Sequence, residues 1–154
     1  MNTYLEALTV RLAIAAAQLP EEIRDRQGNF LLKAQREDGG FAGREGESDL
    51  YYTGFALRGL AILGLLDGPV AQHAAQFLKS RLTGQESIVD FFSLIYGAKL
   101  IESAAGIDVF EQAEPTWADS VASELEKLRC DDGGYAKAPA GRASSTYHSF
   151  LVLL

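Results

Sequence analysis

Cysteine is almost absent: Cys130 stands alone among 154 residues. No internal disulfide can form, so packing must hold the fold, and a lone thiol fits a reducing compartment, with the cytoplasm as the default location. Clustered Lys and Arg are missing too. With 14 basic against 21 acidic residues the formal net charge is −7, and the chain carries no electrostatic footprint for nucleic acid or an anionic membrane. No basic segment precedes the first apolar run, Tyr4 to Leu19, which Glu6 and Arg11 interrupt. A Thr3-Leu5-Glu6 capping pattern makes that run an ordinary helix rather than a targeting peptide or transmembrane segment. Finally, no stretch alternates apolar and polar residues as a half-buried strand would, which leaves an all-α fold.

The hydrophobic fraction of 47% and charged fraction of 23% suit one globular domain over residues 1–154 with a sizeable core. Helical periodicity marks seven segments. Tyr4 to Gln18 is apolar on most sides, and burial is expected. Pro20 to Gln35 starts on a proline suited to a first helical position and carries a stripe of Ile23, Phe30, Leu31 and Ala34, so its other side should be wet. Asp49 can cap Leu50 to Leu65, whose sixteen residues hold one charge, Arg58; such a helix belongs inside. Gly68-Pro69 opens an amphipathic helix to about Leu82, with Val70, Ala74, Phe77 and Leu78 on one face. Ser87 and Asp90 form a capping pattern before the apolar Ile88 to Ala105, with Gly106 past its end. Thr116 to Arg129 has a stripe of Trp117, Val121, Leu125 and Leu128. Ser144 or Ser145 caps the last run, Thr146 to Leu154. Buried and exposed helices thus alternate, which two concentric layers would explain.

Two stretches repeat one order of features. Asp38-Gly39-Gly40-Phe41 and Asp132-Gly133-Gly134-Tyr135 are 94 residues apart, and Tyr52 and Tyr147 are 95 apart. Phe77-Leu78-Lys79 follows Phe30-Leu31-Leu32 by 47 residues, so the long offset is two periods and a degenerate copy lies between. Repeats near 20–65, 69–105 and 115–154 are the signature of a helical array whose units bury their apolar faces against neighbours. The Gly-Gly pairs meet a backbone need, since a sharp return requires positive φ or close approach, and Phe41 or Tyr135 can plug the hairpin.

These residues resemble a known family, the α/α toroid of protein prenyltransferase β subunits and of squalene and other terpene cyclases. The matching elements are Gln35-x-x-Asp38-Gly39-Gly40-Phe41, Asp49-x-x-Tyr52 leading into Phe55-Ala56-Leu57, and Asp132-Gly133-Gly134-Tyr135 with Pro139, Gly141 and Tyr147-His148. The likeness covers roughly Phe30 to Leu154 and leans to the prenyltransferase side, because the Asp-x-Asp-Asp proton donor of class II cyclases is missing. It implies helical hairpins in two concentric layers, here an open arc of about three and a half hairpins. The apolar finish Phe150 to Leu154, without a stop signal, implies a longer parent chain and an open edge suited to a partner subunit or self-association.

The resemblance also implies functional residues. Arg44 matches an arginine that grips an isoprenoid diphosphate, and Tyr52 a tyrosine that hydrogen-bonds the same group, although Gly46-Glu47 replaces the expected lysine. Asp49 and His148 fall on two positions that hold zinc in prenyltransferases, but Tyr51 occupies the cysteine position, so the residues weigh against a resident zinc. Independently of the family, Tyr51, Tyr52, Phe55, Phe91, Phe92, Tyr96, Tyr147 and Phe150 gather near the starts of three apolar helices. Rings so placed could line the mouth of a cavity for an isoprenoid or other apolar molecule. Two functions are expected from different classes: a prenyltransferase-like protein binding an isoprenoid diphosphate, or a non-catalytic repeat module serving as a binding or protein-interaction scaffold.

Overall fold

The structure is a computed structural model that describes residues 4–81, 87–111, 117–137 and 143–153. Its elements are α1 (Tyr4–Ala16), α2 (Glu21–Leu32), α3 (Leu50–Leu63), α4 (Gly68–Ser80), α5 (Ile88–Ala105), α6 (Trp117–Glu126) and α7 (Thr146–Leu153). Among the described residues there is no strand, only isolated antiparallel bridges beside the two Gly-Gly turns. No helix among them is long and apolar enough to cross a membrane.

Local chemistry sets the helix ends. The Asp49 carboxylate accepts the Tyr52 N–H at 2.7 Å and starts α3. Gly64 stops it at Leu63, two residues sooner than the apolar run suggests, because the backbone turns left-handed there, φ 70°, where glycine has no Cβ penalty. Ser87 starts α5 reciprocally: its hydroxyl accepts the Asp90 N–H at 3.3 Å and donates to the Asp90 carboxylate at 2.7 Å. Gly106, φ 68°, closes that helix.

Around α3 and α5 gather α1, α2, α4 and α7. α3 packs on α1, α2 and α5, while α5 packs on α3, α4 and α7. Leu57, Leu60, Phe77, Leu78, Leu94 and Ile101 fill the main core. A smaller cluster of Ile88, Leu128, Tyr135 and Leu151 joins α5, the second turn and α7. Of the α4 stripe, Ala74, Phe77 and Leu78 are buried and Val70 is half-buried. Other faces differ from expectation: α7 buries only Leu151, with Leu153 80% exposed, and α6 buries no residue within its bounds. α1 buries only Thr9 and Ala16, and Val10 and Ile14 are 55% and 61% exposed, because its main described partner, α3, covers a single side. On α2, Phe30 is 69% exposed. Gly28 meets α3's end instead, so close that a Cβ there would sit 2.4 Å from Leu65 Cδ1.

The two Gly-Gly turns are built alike, bond for bond. Gly39 and Gly133 have φ of 87° and 84°. Arg36 N–H donates to the Gly40 carbonyl at 2.9 Å, and Cys130 N–H donates to that of Gly134 at 2.8 Å. Gly40 and Gly134 N–H each reach the turn aspartate at 3.0 Å. Ser48 and Ser144 donate to those same carboxylates at 2.8 and 2.6 Å. The plugging aromatics Phe41 and Tyr135 donate their N–H groups to Thr53 and Ser149 hydroxyls, both at 2.9 Å.

These bonds correct the alignment of the second half of the repeat. Ser48 matches Ser144 and Thr53 matches Ser149, an offset of 96, so the second loop is two residues longer than the first. Asp49 therefore matches Ser145, whose hydroxyl accepts the His148 N–H at 3.5 Å as the cap of α7. Tyr51 pairs with Tyr147, and Tyr52 with His148, rather than Tyr52 with Tyr147.

Candidate functional site

Three helices present one face each to a common cleft. From α3 come Tyr51, Gly54, Phe55 and Arg58; from α5, Val89, Phe92, Ser93 and Tyr96; from α7, Tyr147, Phe150 and Leu151; and Leu5 of α1 borders it. Within each helix the spacings are three and four, which bring side chains onto one stripe. The cavity measures about 190 Å³. Leu5, Phe92, Tyr96 and Leu151 also border a second cavity of about 180 Å³, lined further by Glu6, Ile88, Phe91, Ile95 and Lys99. Each alone is smaller than the roughly 300–1,000 Å³ typical of small-molecule sites.

Ring geometry keeps the walls in place. Tyr51 meets Phe55 edge to face at 4.9 Å, and Phe92 stacks with Tyr96 at 5.6 Å. The Tyr96 hydroxyl bonds Thr9 Oγ1 at 2.7 Å and so ties α5 to α1. α3 and α5 approach closely beneath the cleft, since a Cβ on Gly54 would lie 3.2 Å from that of Ser93. Ser93 itself donates to the Val89 carbonyl at 2.8 Å. Yet Tyr51, Phe55, Tyr147 and Phe150 stay between 41% and 59% exposed, so the cleft is open and its rings are accessible.

Arg58 is the group that sequence reasoning passed over. Its Nε is buried without a hydrogen-bond partner, and among the described residues no ion pair includes it. A guanidinium cannot shed its proton, so an unpaired buried N–H costs about 1–3 kcal/mol. The signal was available as the only charge in α3's apolar run, seven residues after Tyr51.

The expected site residues fall in different places. Tyr51 and Tyr147 line the cleft together. Tyr52 does not; its ring lies against Gly43, where a Cβ would meet it at 2.7 Å. Arg44 is exposed and borders neither cavity. The Asp49 carboxylate is engaged as the cap of α3. His148 sits edge-on to Tyr147 at 5.5 Å with its Nδ1 buried and unpartnered. Among the described residues no group of three or more His, Cys, Asp or Glu side chains is placed to hold a metal ion. Asp49 and His148 are thus joined by no third ligand among the described residues.

Charge at the second turn is organised by hydrogen bonds. The Tyr135 hydroxyl donates to Glu126 at 2.8 Å, which lowers the Glu126 pKa and raises that of Tyr135. The Ser144 hydroxyl, with the Gly134 N–H, holds the Asp132 carboxyl below its ordinary value.

No match was found among models of protein families, curated proteins or solved structures.

Proposed function

We propose that this chain is an α/α toroid-type repeat protein whose aromatic cleft binds an apolar small molecule of isoprenoid kind. Succession of α1, α3, α5 and α7 contacts, with α2 backing α3 and α4 backing α5, and the paired turns support the architecture. The convergence of six aromatic rings from α3, α5 and α7 on one open cavity carries the binding reading. Flat rings give large apolar contact at little entropic cost, which suits a slender unsaturated chain. The cleft supplies binding more plainly than bond-making: it offers rings, one guanidinium and a serine hydroxyl already bonded to Val89.

Calorimetric titration with farnesol and with farnesyl diphosphate tests this. Micromolar binding is expected, weakened about tenfold by Phe92→Ala, which removes a ring worth roughly 1.4 kcal/mol or more. No heat at high micromolar ligand, with the protein folded, would dispose of the proposal. The scaffold reading draws on a separate observation, the outward Tyr4, Val10, Leu12 and Ile14 of α1. A solution mass above that of one chain, reduced by Val10→Glu with Ile14→Glu, would favour it.

A further inference from the structure

We propose that the ligand of this cleft carries a single acidic head, a carboxylate or phosphate monoester, seated on Arg58, with its apolar tail running past Tyr96 into the neighbouring cavity. This rests on the cleft being an apolar-ligand site. Arg58 borders the cavity, and its Nε has no acceptor within the described chain. The Nε of Arg24 is likewise buried and unpartnered, but of the two arginines only Arg58 borders the cleft. A guanidinium keeps its proton and presents a planar fork of donors, so the acceptor it wants is a carboxylate or phosphate oxygen. Tyr51 and Phe55, on the same stripe of α3, flank the space such a head would enter.

Direction follows from what lines the second cavity. Ile88, Phe91 and Ile95 suit an aliphatic tail there, whereas Glu6 repels an anionic head, and Lys99 already bonds Glu102 at 2.6 Å. The head therefore belongs at Arg58. This position is about 13 Å along α3 from its N-cap, away from the helix start where Arg44 and Tyr52 would hold a diphosphate.

Decanoate, decyl phosphate and decan-1-ol, titrated calorimetrically against the whole chain, separate the terms. The wild-type protein should bind one or both acids about tenfold or more tighter than the alcohol, the worth of a charge-assisted pair. Arg58→Gln should bring acid and alcohol within about twofold, and continued binding of the alcohol shows that the cleft is still folded; Arg58→Lys should restore part of the difference. Whether decanoate or decyl phosphate gains more identifies the head. Equal binding of acids and alcohol by the wild-type chain would overturn the role of Arg58 alone, as would loss of the preference in Arg44→Ala rather than Arg58→Gln. Failure of all three probes to bind would overturn the cleft reading with it.

Discussion

Gly39 and Gly133 share one backbone conformation and differ in their neighbours. Both have φ near 85°, a region that costs an L side chain about 1–2 kcal/mol. Among the described residues a Cβ on Gly133 would meet nothing within 4 Å, but one on Gly39 would lie 2.1 Å from the carbonyl oxygen of His73, which is backbone of α4. Gly133→Ala should therefore lower stability by about 1–2 kcal/mol. Gly39→Ala should cost clearly more, since α4 must shift or the turn must open. Urea midpoints of the two variants decide the matter, and equal losses would mean that the approach to α4 is softer than its geometry.

At the scale of elements, one device fastens each Gly-Gly turn to the helix that follows. Thr53 on α3 is fully buried and takes the Phe41 N–H, while Ser149 on α7 is half-buried and takes that of Tyr135. Water can replace the second acceptor more easily than the first. Thr53→Val should thus cost about 1–3 kcal/mol, the penalty of a buried unsatisfied donor, and Ser149→Ala about 0.5–1.5 kcal/mol. Chemical denaturation measures both, with amide exchange at Phe41 and Tyr135 as the local readout. A larger loss at Ser149 would contradict the equivalence of environment and effect.

Across the molecule, acid should act through the second turn. Tyr135 and Ser144 hydroxyls hold Glu126 and Asp132 below their ordinary pKa values, so protons bind the unfolded chain more readily than the folded one. The stabilisation is present above the unfolded carboxylate range and fades as pH falls through the folded one, from about pH 5 downward. Tyr135→Phe removes the bond to Glu126. Its stability deficit should be greatest near neutrality and shrink towards about pH 2. Thermal melts across that range check the sign; a deficit that grew in acid would reverse the assignment. Both carboxylates are exposed, so the effect is small and salt-sensitive.

Much of this was legible in residue order. The caps at Asp49 and Ser87 and the positive φ at the Gly-Gly turns depend on atoms within a few positions of each other, and short-range sterics and hydrogen bonding fix them wherever the helix goes. The expected Tyr51 and Tyr147 hold equivalent places, each two residues past a helix cap, and the packing of α5 against α3 and α7 brings them to one cleft. Sequence alone misjudged whatever depends on what comes alongside. Phe30 has the spacing of a buried residue, but α3 approaches the Gly28 side of α2. Among the described residues the apolar α1 packs mainly on α3. Two extra residues in the second loop moved Tyr52 opposite His148, which only the hydrogen bonds from Ser48 and Ser144 reveal. Arg58 could be read as a lone charge in an apolar run. Its place beside rings from two other helices, with no acceptor for its Nε among the described residues, is a property of how α3, α5 and α7 pack, because burial and partnership belong to the space between elements and not to any one of them.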